Sequence, residues 1–287
     1  MIVVRLCGGL GNQLFQYAAG RRLAHARQTE LVLDLAWYER TPASNTRRAY
    51  ELANYPIHAR AAVGLESLWC RLHSGRLWRR LPLPRRWTNF RERSFDFDGT
   101  MLELPDDVYL DGYWQSHRYF DDAADLVRAE ATPLVPGGPR DLAIAAMIQT
   151  SQAVSVHVRR GDYVARKAAA TVHGTCSLDY YAAAIGAVAS RLSDPHFFVF
   201  SDDSDWTRHN LALPGPSTYV DHNGPEAAFQ DLRLMSLCKH HVIANSSFSW
   251  WGAWLATSSD KIVVAPKHWF ADKRATPSLT PDSWIRL

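Results

Sequence analysis

The stretch "AVSVHVRRGDYV" occupies residues 153–164. Over Ala153–Val158 the side chains alternate with period two, which is the pattern of a strand. The strand runs without a spacer into His157, Arg159, Arg160, Gly161 and Asp162. Period two puts His157 and Arg159 on the same side. An arginine presents a rigid fork of donors that matches phosphate oxygens bidentately, and Gly161 lets the backbone approach a ligand closely. The group suits a diphosphate; the alternative is an arginine paired structurally with Asp162. The tripeptide Arg160-Gly161-Asp162 resembles an adhesion signal. It follows directly on an apolar strand, however, which is the wrong setting for an exposed, flexible loop.

Moving outward, strand-like runs recur at 153–158, 196–200, 217–220, 240–244 and 261–265, separated by helical patterns such as "SLDYYAAAIGAVASRL", "PEAAFQDLRLMSLCK" and "SFSWWGAWLA". Such alternation predicts a parallel sheet with helices on both faces. In an open parallel sheet, ligands bind beyond the carboxyl ends of the strands. Here those ends read "RRGD", "SDD", "DHN", "NSS" and "PKHW".

The N-terminal half opens as a strand–turn–helix–strand unit: "MIVVRL", "GGLGNQ", a helical stripe through Leu14, Phe15, Ala18, Ala19 and Leu23, then "LVLDL". The turn is a degenerate dinucleotide fingerprint: Gly9 and Gly11 fit, Leu14 takes the third glycine's place, and Asp34 ends the second strand. The missing glycine argues against a dehydrogenase. Asn12 and Gln13 at the helix start suggest donors facing an interdomain cleft. The segment "TPLVPGGPR" (132–140) has three prolines and two glycines and reads as a linker. It divides the chain into domains 1–138 and 139–287. Residues 71–93 hold eight arginines, two tryptophans and two prolines. Three readings apply: a solvated, irregular insertion, an anionic-membrane patch or a nucleic-acid contact.

The chain has 287 residues, 47% of them hydrophobic, with a net charge of +3. That is ample material for a core and weak grounds for choosing a partner. The four cysteines are widely spaced, without zinc-ligand spacing, and suggest a reducing compartment. No signal-peptide pattern and no long apolar run is seen. A cytoplasmic location is expected, with peripheral contact at the inner face of the membrane left open. The 11 tryptophans suit core packing first and sugar-stacking surfaces second.

Further candidate site residues follow the later strands. In "IANSSFSWWGAWL", Asn245, Ser246 and Ser247 stand where a strand meets a helix start, and a helix N-terminus offers N–H groups and positive dipole to a phosphate. Asp231 sits among Phe229, Leu232, Leu234 and Met235 and needs a partner. Guanine could supply one through N1–H and the exocyclic amine; so could Arg233 or Lys239. Asp202 and Asp203 in "VFSDD" lack a third metal ligand, and polar contacts or helix capping account for them better than a metal site.

Together "GGLGNQLFQYAAG", "HVRRGDYV", "HGTCSLDYY", "VFSDD" and "DLRLMSLCKHHVIANSSFSWWGAWL" resemble the α-1,2-fucosyltransferases of glycosyltransferase family 11, in the expected order along the chain and closest to bacterial members. The resemblance implies a GT-B fold: two Rossmann-like α/β domains facing a central cleft, the first on the acceptor side and the second binding GDP-β-L-fucose. It implies inverting, metal-independent transfer of fucose to the 2-hydroxyl of a terminal β-galactose, with no cofactor and no nucleic acid. The alternatives are another GDP-sugar-dependent transferase or, remotely, a nucleic-acid binder using the arginine segment. By the resemblance Arg159 meets the β-phosphate, with His157 near the ribose or phosphates. Ser246, Ser247 and Phe248 hold phosphate, Asp231 reads guanine and Asn12 points at the donor. Asp202 and Asn245 are grouped with the donor-binding residues. Asp162 and His173 are the two candidates for the catalytic base. The 71–93 segment lies outside these motifs.

Overall fold

The computed structural model describes residues 1–39, 48–74, 87–161, 171 and 174–287. The expected bases Asp162 and His173, and residues 75–86 of the basic segment, lie outside the described residues. The chain divides into two compact units: Met1–Leu134 with Pro277–Leu279, and Val135–Thr276 with Thr280–Leu287.

The first unit carries β1 (Ile2–Arg5), β2 (Leu31–Asp34), β3 (Arg60–Ala61), β4 (Thr88–Arg91) and β5 (Val108–Asp111), with helices α1 (Leu10–Arg27), α2 (Ala36–Glu39), α3 (Leu65–Ser74) and α4 (Ala124–Glu130). All strand pairs are parallel, in the order β3-β2-β1-β5-β4. The runs "IVV", "LVL" and "VYL" are apolar without alternation because β1, β2 and β5 are buried, as parallel strands covered on both faces must be. Helix α1 lies close on the sheet: a Cβ added at Gly20 would come 2.2 Å from Val4 Cγ2.

The second unit carries β6 (Gln152–Val158), β7 (Pro195–Ser201), β8 (Ser217–Val220), β9 (His240–Val242), β10 (Val263–Ala265) and β11 (Ile285–Arg286), with α5 (Pro139–Gln149), α6 (Leu178–Ala189), α7 (Ser204–Asn210), α8 (Ala228–Leu237) and α9 (Ser247–Leu255). These strands are also all parallel, in the order β11-β10-β9-β6-β7-β8. Period two sorts their side chains. Val154, Val156 and Val158, with Phe197 and Val199, join Tyr181, Ala184, Ile185 and Val188 of α6 in one cluster. Ala153, Phe198 and Phe200 join Ile144 and Ile148 of α5 and Leu234 and Met235 of α8 in another. His157 shares parity with Ala153, and the Phe248 ring of α9 stands 5.7 Å from it.

The five strands expected in the second half are all present, and β11 adds a sixth. The two-domain α/β architecture expected from the sequence is the one observed. The insertion reading of 71–93 is corrected at both described ends. Arg71 belongs to α3 and pairs with Glu39 at 2.6 Å. Thr88–Arg91 is a sheet strand, paired with Val108–Asp111 in unbroken register. This strand lies at the sheet edge and is largely exposed, so it carries no apolar signal to read. Tryptophan is mainly core: Trp87, Trp114, Trp250, Trp251, Trp254, Trp269 and Trp284 are buried.

Candidate active site

In the second sheet the chain runs from β6 outward through β7 to β8, then crosses to β9 on the other side of β6. The carboxyl ends of β6 and β9 therefore flank the topological switch point, where open α/β sheets bind ligands. Arg159-Arg160-Gly161 follows β6; Ala244-Asn245-Ser246 follows β9 and leads into α9. Two motifs more than eighty residues apart in sequence are thereby brought together.

Asp202, at the end of β7, organises the arginine turn. It accepts the Arg160 N–H at 2.8 Å and lies 3.1 Å from Arg159 Nη1. A Cβ on Gly161 would stand 3.0 Å from Asp202 Oδ2, so only glycine passes comfortably. Burial pushes the Asp202 carboxyl up. The Arg159 charge and the N–H groups of Gly161 and Arg160 outweigh it and hold the carboxyl below its usual range. Asp203 caps α7 through the Trp206 N–H at 3.3 Å. Its carboxylate is also 3.3 Å from Arg160 Nε, whose guanidinium stacks 4.1 Å over the Trp206 ring. Arg160 is thus pinned to the protein, which disposes of the adhesion-loop reading. Among the described residues Arg159 is held by Asp202; Asp162, its alternative structural partner, lies outside them.

His157 is buried, and its Nδ1 has no hydrogen-bond partner among the described residues. Burial, reinforced by the Arg159 charge, lowers its pKa strongly, so the ring is neutral at physiological pH. At α9, Ser246 takes the N-cap position with extended backbone, but its hydroxyl makes no capping hydrogen bond, and the first turn has no acidic residue. The dipole end is therefore not neutralised by a carboxylate of its own helix. Asn245 ties segments together: Nδ2 donates to Gly174 O at 3.3 Å and Trp269 O at 3.2 Å, and Oδ1 accepts from the Cys176 thiol at 3.5 Å.

Asp231 on α8 forms a second cluster beyond β8. Asn223 Nδ2 donates to Asp231 Oδ1 at 2.8 Å and to Asp141 Oδ1 at 2.9 Å. His222 Nε2 is 2.9 Å from the same Asp141 oxygen, and the Gly138 N–H holds the other at 2.9 Å. Neither Arg233 nor Lys239 pairs with Asp231; Arg233 gives its Nε to Gln230. Burial pushes the Asp231 carboxyl up to about 7, Asn223 working against the shift and the Asp141 charge adding to it. Among the described residues Asn223 is the side-chain donor to this half-buried carboxylate. Sequence reading missed Asn223, His222 and Asp141, although "DHN" stood out as a strand end.

Asn12 belongs to the first unit, where its Oδ1 accepts from Gln115 Nε2 at 2.8 Å. Asp34 is spent structurally: Tyr109 donates to it at 2.5 Å and the Ala36 N–H at 2.9 Å. Buried beneath Tyr109, it is not open to a ribose hydroxyl. Among the described residues no three His, Cys, Asp or Glu side chains are grouped to hold a metal ion, and no described helix is long and apolar enough to cross a membrane. The four cysteines are free thiols.

The model of Glycosyl transferase family 11 matches residues 77–287. The chain belongs to glycosyltransferase family 11. Two Escherichia coli relatives span it end to end. The O-antigen biosynthesis glycosyltransferase WbnK is 35% identical over 98% of this chain and 99% of its own. An alpha-1,2-colitosyltransferase is 32% identical over 100% of this chain and 99% of its own. The mouse galactoside 2-alpha-L-fucosyltransferase Sec1 is 33% identical over 41% of this chain and 32% of its own. Among solved structures, Arabidopsis thaliana FUT1 in complex with GDP superposes with a TM-score of 0.51 at 10% identity, over 99% of this chain and 75% of that one. Fucosyltransferase NodZ from Bradyrhizobium gives 0.50 at 15% identity, over 88% and 92%. Likeness at that level shows the GT-B fold and nothing finer. This family 11 glycosyltransferase therefore has the α/β, two-Rossmann-unit architecture expected from its sequence.

Proposed function

We propose that the protein transfers L-fucose from GDP-β-L-fucose to the 2-hydroxyl of a terminal β-galactose, with inversion. The observation that carries this reading is the pairing of Arg159 with the N-terminus of α9 across the β6/β9 switch point. Both suit a diphosphate that gains charge as it leaves. Asp231, which has no cationic partner among the described residues, suits guanine. Arabidopsis FUT1 and NodZ were both crystallised with GDP, which agrees with the nucleotide chosen here.

In the reaction the acceptor hydroxyl attacks the fucosyl anomeric carbon from the face opposite the phosphate. The C–O bond to GDP breaks and its electron pair passes to the β-phosphate. Arg159 stabilises that charge, with Asp202 fixing the guanidinium in advance so that little reorganisation is needed. The α9 N-terminus adds its dipole and Ser246 its hydroxyl. Neutral His157 contributes hydrogen bonding without a second positive charge. The 2-hydroxyl proton goes to a base for which Asp162 and His173 are the candidates; pH–rate profiles of Asp162→Asn and His173→Ala separate them. No cofactor or metal takes part.

A second donor is favoured by a specific observation, the full-length match to an alpha-1,2-colitosyltransferase. Colitose is fucose without its 3-hydroxyl, so the two donors share every phosphate and base contact. A donor panel of GDP-fucose, GDP-colitose, GDP-mannose and UDP-sugars tests the reading. GDP-fucose is expected to give the highest kcat/KM; preference for GDP-colitose moves the assignment to the deoxy sugar, and preference for a UDP-sugar overturns it.

A further inference from the structure

The chain leaves the edge strand β8 at Val220 and reaches α8 through His222, Asn223, Gly224 and a turn begun by Pro225. This short path delivers Asn223 between two carboxylates. Its Nδ2 donates to Asp231 Oδ1 at 2.8 Å and to Asp141 Oδ1 at 2.9 Å. A primary amide has two N–H donors. The two bonds use both, and two acceptors on one side settle which way the amide faces.

Asp141 is the fixed end of this bridge. It stands in the first turn of α5 and is 4% exposed. One of its oxygens takes the Gly138 N–H, and His222 Nε2 lies 2.9 Å from the other. Burial pushes its carboxyl up; the bonds from Asn223, His222 and Gly138 outweigh that and hold it below its usual range. Asp141 is therefore an anion at neutral pH. The segment ahead of α5 is also seated on α8. Gln230 Nε2 donates to Val135 O at 3.0 Å, while Gln230 Oε1 takes the Arg233 Nε–H at 2.9 Å. A Cβ on Gly137 would stand 2.3 Å from Arg233 Nη2. Asp141 can leave α8 only if that seat is broken.

The bridge supplies direction. The last torsion of an aspartate is broad and two-fold, so an untied carboxylate samples many planes. Guanine offers N1–H and its exocyclic amine as two parallel donors, which a carboxylate meets only with its plane turned to the base edge. Asn223 ties one oxygen of Asp231 and so fixes that plane.

We infer that Asn223 is a positioning residue for base recognition, anchored by Asp141, and that through Asp231 it makes the site select a base with two adjacent donors over a base with one. The inference rests on the assignment of Asp231 to guanine proposed above. Of the elements packed against α8, α5 brings Asp141 and the exposed Arg140, the turn Pro225–Ala227 brings Glu226, and α9 brings no charged side chain. His222 stands behind Asp141, and Arg233 is on α8 itself. Among these, the Asp141 charge opposes ionisation of Asp231 and the Asn223 bond favours it.

The test measures binding of GDP and of IDP, whose hypoxanthine lacks the exocyclic amine, by calorimetry from pH 5.5 to 8.5. The proteins are the whole chain as wild type, Asn223→Asp and Asp141→Asn, both substitutions being nearly isosteric. Wild type should prefer GDP to IDP by about tenfold, with GDP binding tightening as pH rises through about 7. Asn223→Asp removes the donors and adds a charge. It should move that limb to higher pH and bring GDP and IDP within about threefold of each other. Asp141→Asn removes the opposing charge and leaves an acceptor for Asn223. It should move the limb to lower pH and keep the preference for GDP. Ionisation of the nucleotide's terminal phosphate is common to all arms and cancels in these shifts. General damage to the fold would weaken both nucleotides alike and would not move the two limbs in opposite directions. With GDP bound by the wild type, limbs that stay in place or move together would overturn the positioning role, as would an undiminished GDP preference in Asn223→Asp. If Asn223→Asp does not fold, the downward shift in Asp141→Asn decides alone. A wild type that binds UDP but not GDP would instead overturn the guanine assignment itself, and this inference with it.

Discussion

At the residue scale, Arg159 and Asp231 carry opposite kinds of electrostatic demand. Arg159 has Asp202 at 3.1 Å from one arm of its fork, and the proposed function gives that fork a phosphate to bind. Arg159→Lys keeps the charge and loses the fork; turnover at saturating substrates should fall on the order of a hundredfold. A folded Lys variant with near-full turnover would show that the fork is not used. Asp231 faces Asn223, with Asp141 and His222 behind it, and its carboxyl titrates near 7. Below that pH the free protein holds it protonated, and it cannot accept two guanine hydrogens. kcat/KM for the donor should therefore rise with pH through about 7, and Asp231→Asn should flatten that limb while raising donor KM tenfold or more. The sign for stability is the reverse. A carboxyl whose folded pKa is raised stabilises the fold at low pH and loses that contribution as pH climbs towards 7. Asp231→Asn should thus raise the melting temperature of the free enzyme more at pH 8 than at pH 5. An equal change at both would place Asp231 on the solvated surface.

At the element scale, α8 and α9 bring the guanine and phosphate clusters into one unit, and they approach closely at Gly252. A Cβ there would meet Met235 Cβ at 2.9 Å and Sδ at 3.2 Å. Gly252→Ala should cost about 1–3 kcal/mol, seen as a lower denaturant midpoint at unchanged slope. A neutral result would mean that the helices separate freely. The elements readable in advance were those with period or punctuation. The strands of the second half alternate or run apolar, and each ends in chemistry. β4 escaped because an exposed edge strand, "TNFR", has neither. The loop after β5 escaped for a different reason: "VYLDGYW" has the make-up of a continuous strand, whereas the chain leaves the sheet at Asp111 and turns left-handed at Trp114. Asn223 and Asp141 escaped because they act through Asp231 from 8 and 90 residues away, a juxtaposition that only the fold creates. Arg159, His157 and the serine turn were legible because a parallel sheet delivers whatever follows its central strands to one place.

At the scale of the whole molecule, the chain is built twice on one plan: a parallel sheet with a switch point beside its first strand, and polar residues at the strand ends there. The second unit's switch point carries Arg159 and the N-terminus of α9, and the first unit's carries Tyr113 stacked on Phe95. Since leaving-group charge is assigned to Arg159 and α9, activity should persist in excess EDTA; its loss and recovery on adding Mg²⁺ or Mn²⁺ would assign that charge to a metal. The most direct test of the central claim is incubation of the purified protein with GDP-fucose and a panel of terminal β-galactosides, the product linkage being read by mass spectrometry and NMR. The account expects one fucose added in α configuration at the galactose 2-hydroxyl. A β-linked product, a product at another hydroxyl, or turnover only with a non-guanine donor would contradict it.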